Sequence, residues 1–198
     1  AVKAVEEIRD GMVVGLGSGS TVKYAIEALG RRLQSGRLRI AAAIPTSAET
    51  EQLARSFEIP LSTLKVHPVV DLVIDGVDVV DRQSGVMIKG RGGASFDEKR
   101  VMERARAITI IADPRKLKTG LQDITVPLEV EKTQLRQAIL ALKEDYGYLP
   151  IERSQVPDWV AQRGHTLIDI WVPNIANPAA FERRLLDING VVATGIFP

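Results

Sequence analysis

The sequence predicts an α/β protein: a doubly wound parallel sheet with helices on both faces, followed by a smaller α+β domain. Three observations predict it. Short apolar runs ending at glycine or aspartate alternate with stretches of helical periodicity over the first 122 residues. The loops with chemically interesting side chains all follow apolar runs, the strand ends where such sheets gather ligands. Past Gly120 the pattern becomes a βαβ–βαβ series over residues 123–194, the signature of a ferredoxin-like domain.

Taken in order, residues 2–9 read as a helix ending at Asp10-Gly11, and Met12–Leu16 as a buried parallel strand. A tight loop, Gly15–Thr21, leads into a helix on which Val22, Ala25, Ile26, Leu29 and Leu33 share one face. Leu38–Ile44 is the next predicted strand, and Ala48–Phe57 a helix with a simple Ser or Thr N-cap. Ile59–Leu61 is short and extended, Val69–Ile74 a strand ending at Asp75-Gly76, and Val86–Ile88 another. A helix is expected over Ala94–Ala107 and a strand over Ile108–Ala112. In the second domain the expected order is strand Ile124–Val130, helix Thr133–Leu142, strand Tyr146–Ile151, strand His165–Val172, helix Pro178–Leu186 and strand Val191–Ile196. The domains are therefore read as 1–122, Rossmann-like, and 123–194, ferredoxin-like, with 195–198 starting a return to the large domain.

Composition narrows the chemistry. The 26 Lys and Arg residues against 25 Asp and Glu give a net charge of +1, so nothing recommends nucleic acid or an anionic membrane as a partner. The absence of cysteine excludes disulfides, thiolate nucleophiles and cysteine-ligated metals within this chain. No apolar run approaches the ~20 residues that span a bilayer. The expected location is the cytoplasm, or an organelle stroma after loss of a transit peptide. The two histidines, His67 and His165, stand beside turn residues and read as surface or loop imidazoles, so no histidine metal site or Ser–His–Asp triad is expected.

Five segments carry candidate chemistry. Gly17-Ser18-Gly19-Ser20-Thr21 joins a strand to a helix, where glycine lets the backbone approach an anion and the helix N-terminus favours negative charge. It reads as a phosphate cradle or as a plain tight turn. No lysine precedes Ser20 or Thr21 as a P-loop demands, and Ser20 stands where a dinucleotide fingerprint needs glycine. Asp75-Gly76-Val77-Asp78 offers two carboxylates that could bind sugar hydroxyls and help open a furanose ring, or merely cap turns. Lys89-Gly90-Arg91-Gly92-Gly93 brings backbone close to something and sets an ammonium where an oxyanion could form, unless it is a flexible loop with solvated side chains. Glu98, near a helix start, satisfies the helix dipole or acts as a base; Lys116 is a solvated lysine or a ligand.

These residues, with Pro45-Thr46-Ser47, Ile59–Leu64 and Ala112-Asp113, resemble the type A ribose-5-phosphate isomerases in order and spacing over essentially the whole chain. The resemblance implies interconversion of D-ribose 5-phosphate and D-ribulose 5-phosphate through a cis-enediolate in the non-oxidative pentose phosphate pathway. It implies Glu98 as the base and Lys89 stabilising the enediolate oxygen. Asp75 and Asp78 would bind the sugar and help open the ring. Ser18, Gly19, Ser20 and Thr21 would form the phosphate loop, and Gly76, Val77, Gly90, Arg91, Gly92 and Lys116 would complete the substrate site. No metal and no cofactor is implied, and the assembly implied is a homodimer or homotetramer. A further lysine upstream and a further strand and helix downstream are also implied. Val77, Val79 and Asp97 depart from the family's usual alanine, glutamate and arginine, which points to altered packing or rate more than to lost chemistry.

Three rival readings differ by observable features. A sugar-phosphate sensor needs no base, so the pairing of Glu98 with Lys89 counts against it. An acyl-CoA transferase-like enzyme would form a thioester on Glu98, and no CoA site is apparent. A nucleotide-binding Rossmann protein conflicts with the glycine spacing.

Overall fold

The computed structural model describes residues 1–198. In chain order its helices are α1 (Val2–Val5), α2 (Ser20–Gln34), α3 (Ala48–Ser56), α4 (Ser95–Met102), α5 (Leu135–Glu144), α6 (Asp158–Gln162) and α7 (Pro178–Leu186). Its strands are β1 (Val13–Leu16), β2 (Ala42–Pro45), β3 (Leu72–Gly76), β4 (Val79–Asp81), β5 (Met87–Ile88), β6 (Ile108–Ile111), β7 (Leu117–Lys118), β8 (Gln122–Glu131), β9 (Ile151–Glu152), β10 (His165–Asn174), β11 (Val191–Thr194) and β12 (Ile196–Phe197). The chain divides into two compact units, Ala1–Gly76 with Asp97–Ala112, and Val77–Phe96 with Asp113–Pro198.

The first unit is built on a parallel sheet of order β2-β1-β3-β6. Every residue of β1 and β3 is buried, as expected when helices cover both faces of a parallel sheet. Val22, Ala25, Ile26 and Leu29 of α2 pack with Val14, Leu16, Leu72 and Ile74 of the strands in one core. A full core side chain of this kind contributes roughly 1.5–3 kcal/mol by leaving water. Gly15 admits the covering helix: a Cβ there would lie 2.7 Å from Val101 of α4 and from Val73. Ser47 caps α3 as expected, its hydroxyl accepting the Thr50 N–H at 3.2 Å.

The second unit holds an antiparallel sheet of order β11-β8-β10-β9, covered on one face by α5 and α7, the ferredoxin-like arrangement. Ile124, Val126, Leu128 and Val130 alternate onto this core opposite Ile168, Ile170 and Val172. A small sheet of order β12-β5-β4-β7 completes the unit.

Several elements differ from expectation, each for a local reason. The strand expected at Leu38–Ile44 begins only at Ala42, because Arg39 bonds instead to Asp10 and Gly11 through its N–H and carbonyl. The strand expected at Val69–Ile74 runs Leu72–Gly76; Asp71 spends its carboxylate on the Val13 N–H, and Asp75 and Gly76 lie within the strand. The helix expected to reach Ala107 stops at Met102, since Arg104 and Arg106 turn back to bond Val70. Tyr146 and Tyr148 stack on each other at 6.4 Å in an irregular segment against the core, leaving only Ile151–Glu152 as strand. The final strand breaks at Gly195, passing from β11 to β12 in a different sheet. His165 is no loop imidazole: it lies in β10, its Nδ1 2.7 Å from the fully buried Glu129 carboxylate. No helix is long and apolar enough to cross a membrane.

Candidate active site

Three parallel strand ends meet in the first unit. At the end of β1, the Gly17 N–H bonds the Ile74 carbonyl of β3 at 2.9 Å. The Asp75 carboxylate lies directly against that glycine: a Cβ at position 17 would fall 1.9 Å from Asp75 Oδ1. The same Oδ1 accepts the N–H groups of Ser18 at 3.2 Å and Gly76 at 2.6 Å. From the end of β2, the Thr46 hydroxyl meets the Ser18 hydroxyl at 2.8 Å, and the Thr50 hydroxyl donates to the Gly17 carbonyl at 2.8 Å. The loop is thus stitched on both sides, and Asp75, wholly buried, is part of the stitching.

The start of α2 has a different character. Its N-cap is Gly19, at φ 100°, with no side-chain cap and no acidic residue in the first turn. By contrast, α3 has the Ser47 cap with Glu49 and Glu51 behind it. The N–H groups of a helix's first turn need acceptors, and here an anion seated on Gly19, Ser20 and Thr21 is the chemical complement. Glu98 sits in the first turn of α4 and is 4% exposed.

In the second unit, Val77 is buried and Asp78 half-buried. The Asp78 N–H bonds the Ile88 carbonyl at 2.9 Å, and its carboxylate accepts the Arg91 N–H at 3.1 Å. Lys116 stands on a 3-10 turn and donates to the Val77 carbonyl at 2.5 Å. Asp113 opens that turn; the Arg115 guanidinium and N–H hold its carboxyl down to about 2.

Lys89 directly follows β5 and is 3% exposed. Its N–H bonds the Gly195 carbonyl at 2.9 Å, and its ammonium lies 5.7 Å from the centre of the Phe197 ring. Any side chain at 195 would strike the Lys89 carbonyl, at 2.3 Å. The following glycines are seated rather than loose. Gly90, at φ 94°, leaves 2.6 Å between a would-be Cβ and Ser95 Oγ, and Gly93, at φ 78°, leaves 2.9 Å to Leu167. Gly92 faces open space.

By unit the expected residues fall into two groups. Ser18 to Thr21, Asp75, Gly76 and Glu98 lie in the first, where hydrogen bonds join Ser18, Asp75 and Gly76. Val77, Asp78, Lys89 to Gly92 and Lys116 lie in the second, where hydrogen bonds join Val77 to Lys116 and Asp78 to Arg91. Thr46, Thr50, Gly195 and Phe197 also shape these groups and were not singled out as site residues from the sequence. Thr46 lies in a segment carrying the family resemblance, so a signal existed; Gly195 and Phe197 owe their place to the pairing of β12 with β5.

A family model described as ribose 5-phosphate isomerase A (phosphoriboisomerase A) matches residues 42–198. A probable chloroplastic ribose-5-phosphate isomerase 3 from Arabidopsis thaliana is 37% identical, over 100% of this chain and 74% of that protein. The ribose 5-phosphate isomerase structure from Plasmodium falciparum has a TM-score of 0.91 at 35% identity, covering 99% of this chain and 86% of its own. A further D-ribose-5-phosphate isomerase structure, in complex with phospho-erythronic acid, has a TM-score of 0.90 at 35% identity, over 98% and 86% of the two chains. The chain belongs to the ribose 5-phosphate isomerase A family.

Proposed function

We propose that this chain interconverts D-ribose 5-phosphate and D-ribulose 5-phosphate through a cis-enediolate, with Glu98 as the base that carries the proton. In the open-chain aldose, Glu98 removes the C2 proton and the electron pair moves onto the carbonyl oxygen at C1. Lys89 stabilises that oxyanion. A proton passes from the C2 hydroxyl to the C1 oxygen, and Glu98 returns its proton to C1, leaving the ketone at C2. Atoms and charge balance without an oxidant.

The observation that carries this reading is the burial of one carboxylate and one ammonium, Glu98 and Lys89, in a chain whose family is an aldose–ketose isomerase family. Long charged side chains are seldom fully buried. A desolvated ammonium stabilises a developing oxyanion far more strongly than one in water, and loss of one such donor typically costs ~100–1000-fold in rate. The first turn of α2, uncapped by any side chain, suits the phosphate, whose binding supplies energy to fix the reacting carbons. Asp75 and Asp78 take the sugar hydroxyls and assist ring opening. Lys116 and the backbone of Gly76, Val77 and Gly90 to Gly92 complete the substrate contacts. Phospho-erythronic acid, held by the relative described above, is a phosphorylated acid with a planar carboxylate, the shape and charge of an enediolate. A homodimer or homotetramer is the assembly that the family resemblance implies.

A coupled assay of ribulose 5-phosphate formation tests the proposal. Glu98→Gln is expected to lose ~1000-fold or more in kcat while still binding substrate, and Lys89→Ala ~100–1000-fold. EDTA is expected to leave the rate unchanged. Near-normal turnover by Glu98→Gln would contradict the assignment.

A further inference from the structure

Arg153 follows the short edge strand β9, and its guanidinium works on two sides at once. On one side, Nε and Nη2 bond the two oxygens of Asp169 at 2.7 and 2.6 Å, the parallel fork that gives the strongest ion-paired hydrogen bonds. On the other, Nη1 donates to the Arg91 carbonyl at 2.8 Å and to the Gly90 carbonyl at 3.3 Å, which also accepts the Gly93 N–H at 3.0 Å. Both side chains are largely withdrawn from solvent, Arg153 at 17% and Asp169 at 24% exposed. The pair is therefore more than an exposed ion pair of little consequence.

Peptide geometry converts this clamp into a direction. In a trans peptide the C=O and the following N–H point to opposite sides, and the chain has no cis peptide bond. With the Gly90 carbonyl on Arg153, the Arg91 N–H points away, and it meets the Asp78 carboxylate at 3.1 Å. The Gly90–Arg91 peptide is thus strung between Arg153 and Asp78. With the Arg91 carbonyl also on Arg153, the Gly92 N–H is likewise turned away from the guanidinium. Lysine could not replace this arrangement, because an ammonium lacks the rigid fork that serves a carboxylate and two carbonyls together.

We propose that Arg153, fixed by Asp169, is a positioning residue for the isomerase reaction, holding the peptide planes of Gly90–Gly92 so that the Gly92 N–H is aimed at a substrate oxygen. This rests on the reading of Lys89–Gly92 as part of the substrate site. Arg153 itself touches no reacting atom.

Three measurements on Arg153→Ala and Arg153→Lys test it, with Asp169→Asn as a milder variant that keeps the side-chain shape. Amide hydrogen exchange at Arg91 and Gly93 is expected to accelerate at least ~10-fold. In the isomerase assay kcat is expected to fall ~10–100-fold with KM changed much less, the result of a misaligned rather than a missing group. In D2O, the deuterium incorporated per turnover is expected to rise, because a loosened loop leaves the enediolate open to solvent. That ratio is independent of the fraction of enzyme folded, so a merely structural role would not move it. Unchanged exchange at Arg91 and Gly93, or unchanged deuterium per turnover, overturns the proposal. If instead Glu98→Gln keeps its activity, the catalytic reading falls, while the exchange data still report whether Arg153 holds the loop.

Discussion

Asp75, proposed to meet the sugar, also builds the loop beside it. Its Oδ1 holds two N–H groups, and it reaches them only because position 17 has no Cβ. Gly17→Ala is therefore expected to destabilise the fold by about 1–3 kcal/mol, as overpacking does, and to lower activity by displacing Asp75. Gly92→Ala is the control: nothing lies within 4 Å of its would-be Cβ, so its melting temperature should stay close to wild type. Asp81 gives a second prediction. The Ser84 hydroxyl, the Gly120 N–H and the N–H groups of Gln83 and Ser84 hold its carboxyl down to about 2 from an ordinary 3.8. A depressed value means stability that is present above the ordinary value and lost as pH falls toward about 2. Acid titration of unfolding should show this loss, and Asp81→Asn should flatten the curve between about pH 4 and 2; an identical curve for the variant would show that Asp81 contributes nothing to the acid stability.

Among the elements, β12 matters more than its two residues suggest. Its pairing with β5 places the Gly195 carbonyl on the Lys89 N–H and the Phe197 ring beside the ammonium. Truncation after Thr194 is expected to lower kcat by about tenfold or more through Lys89, while the ferredoxin-like sheet keeps its far-UV signal; full activity in the shortened chain would show that β12 is dispensable. The elements also divide sharply in how far the sequence revealed them. Helices α2, α3 and α7 were legible because their apolar spacing spans several turns. The strands β1, β8 and β10 were legible as apolar runs, and so was β6, although its residues are half-buried or exposed. What failed were segments whose hydrogen bonds go to distant partners. Leu38–Ala41 looks like strand but bonds the turn after α1, and Tyr146–Leu149 looks like strand but stacks its rings on the core. The short β4 and β7 and the single-turn α6 carry too little periodicity to announce themselves. Candidate site residues were legible where they cluster at strand ends. Arg153 was not, because its partners at Gly90, Arg91 and Asp169 adjoin it only through the fold.

At the scale of the whole molecule, the chain passes from one unit to the other after Gly76, Phe96 and Ala112. Each crossing falls within two residues of a proposed site residue or its capping aspartate: Asp75 to Asp78, Glu98, and Asp113. The family match over residues 42–198 draws on both units. His165 adds a structural lesson at this scale. Its Nδ1 lies 2.7 Å from the buried Glu129 carboxylate, which also accepts from the Arg163 guanidinium at 3.0 Å, so a residue type suggestive of catalysis helps to hold the second unit together. The central chemical claim is instead that Glu98 moves one proton between adjacent carbons, and an isotope reads that movement directly. Ribose 5-phosphate deuterated at C2 should yield ribulose 5-phosphate carrying part of that deuterium at C1, the remainder exchanging with solvent, and Glu98→Gln should form almost none of this product. Label transfer by Glu98→Gln at a rate near wild type would contradict the claim.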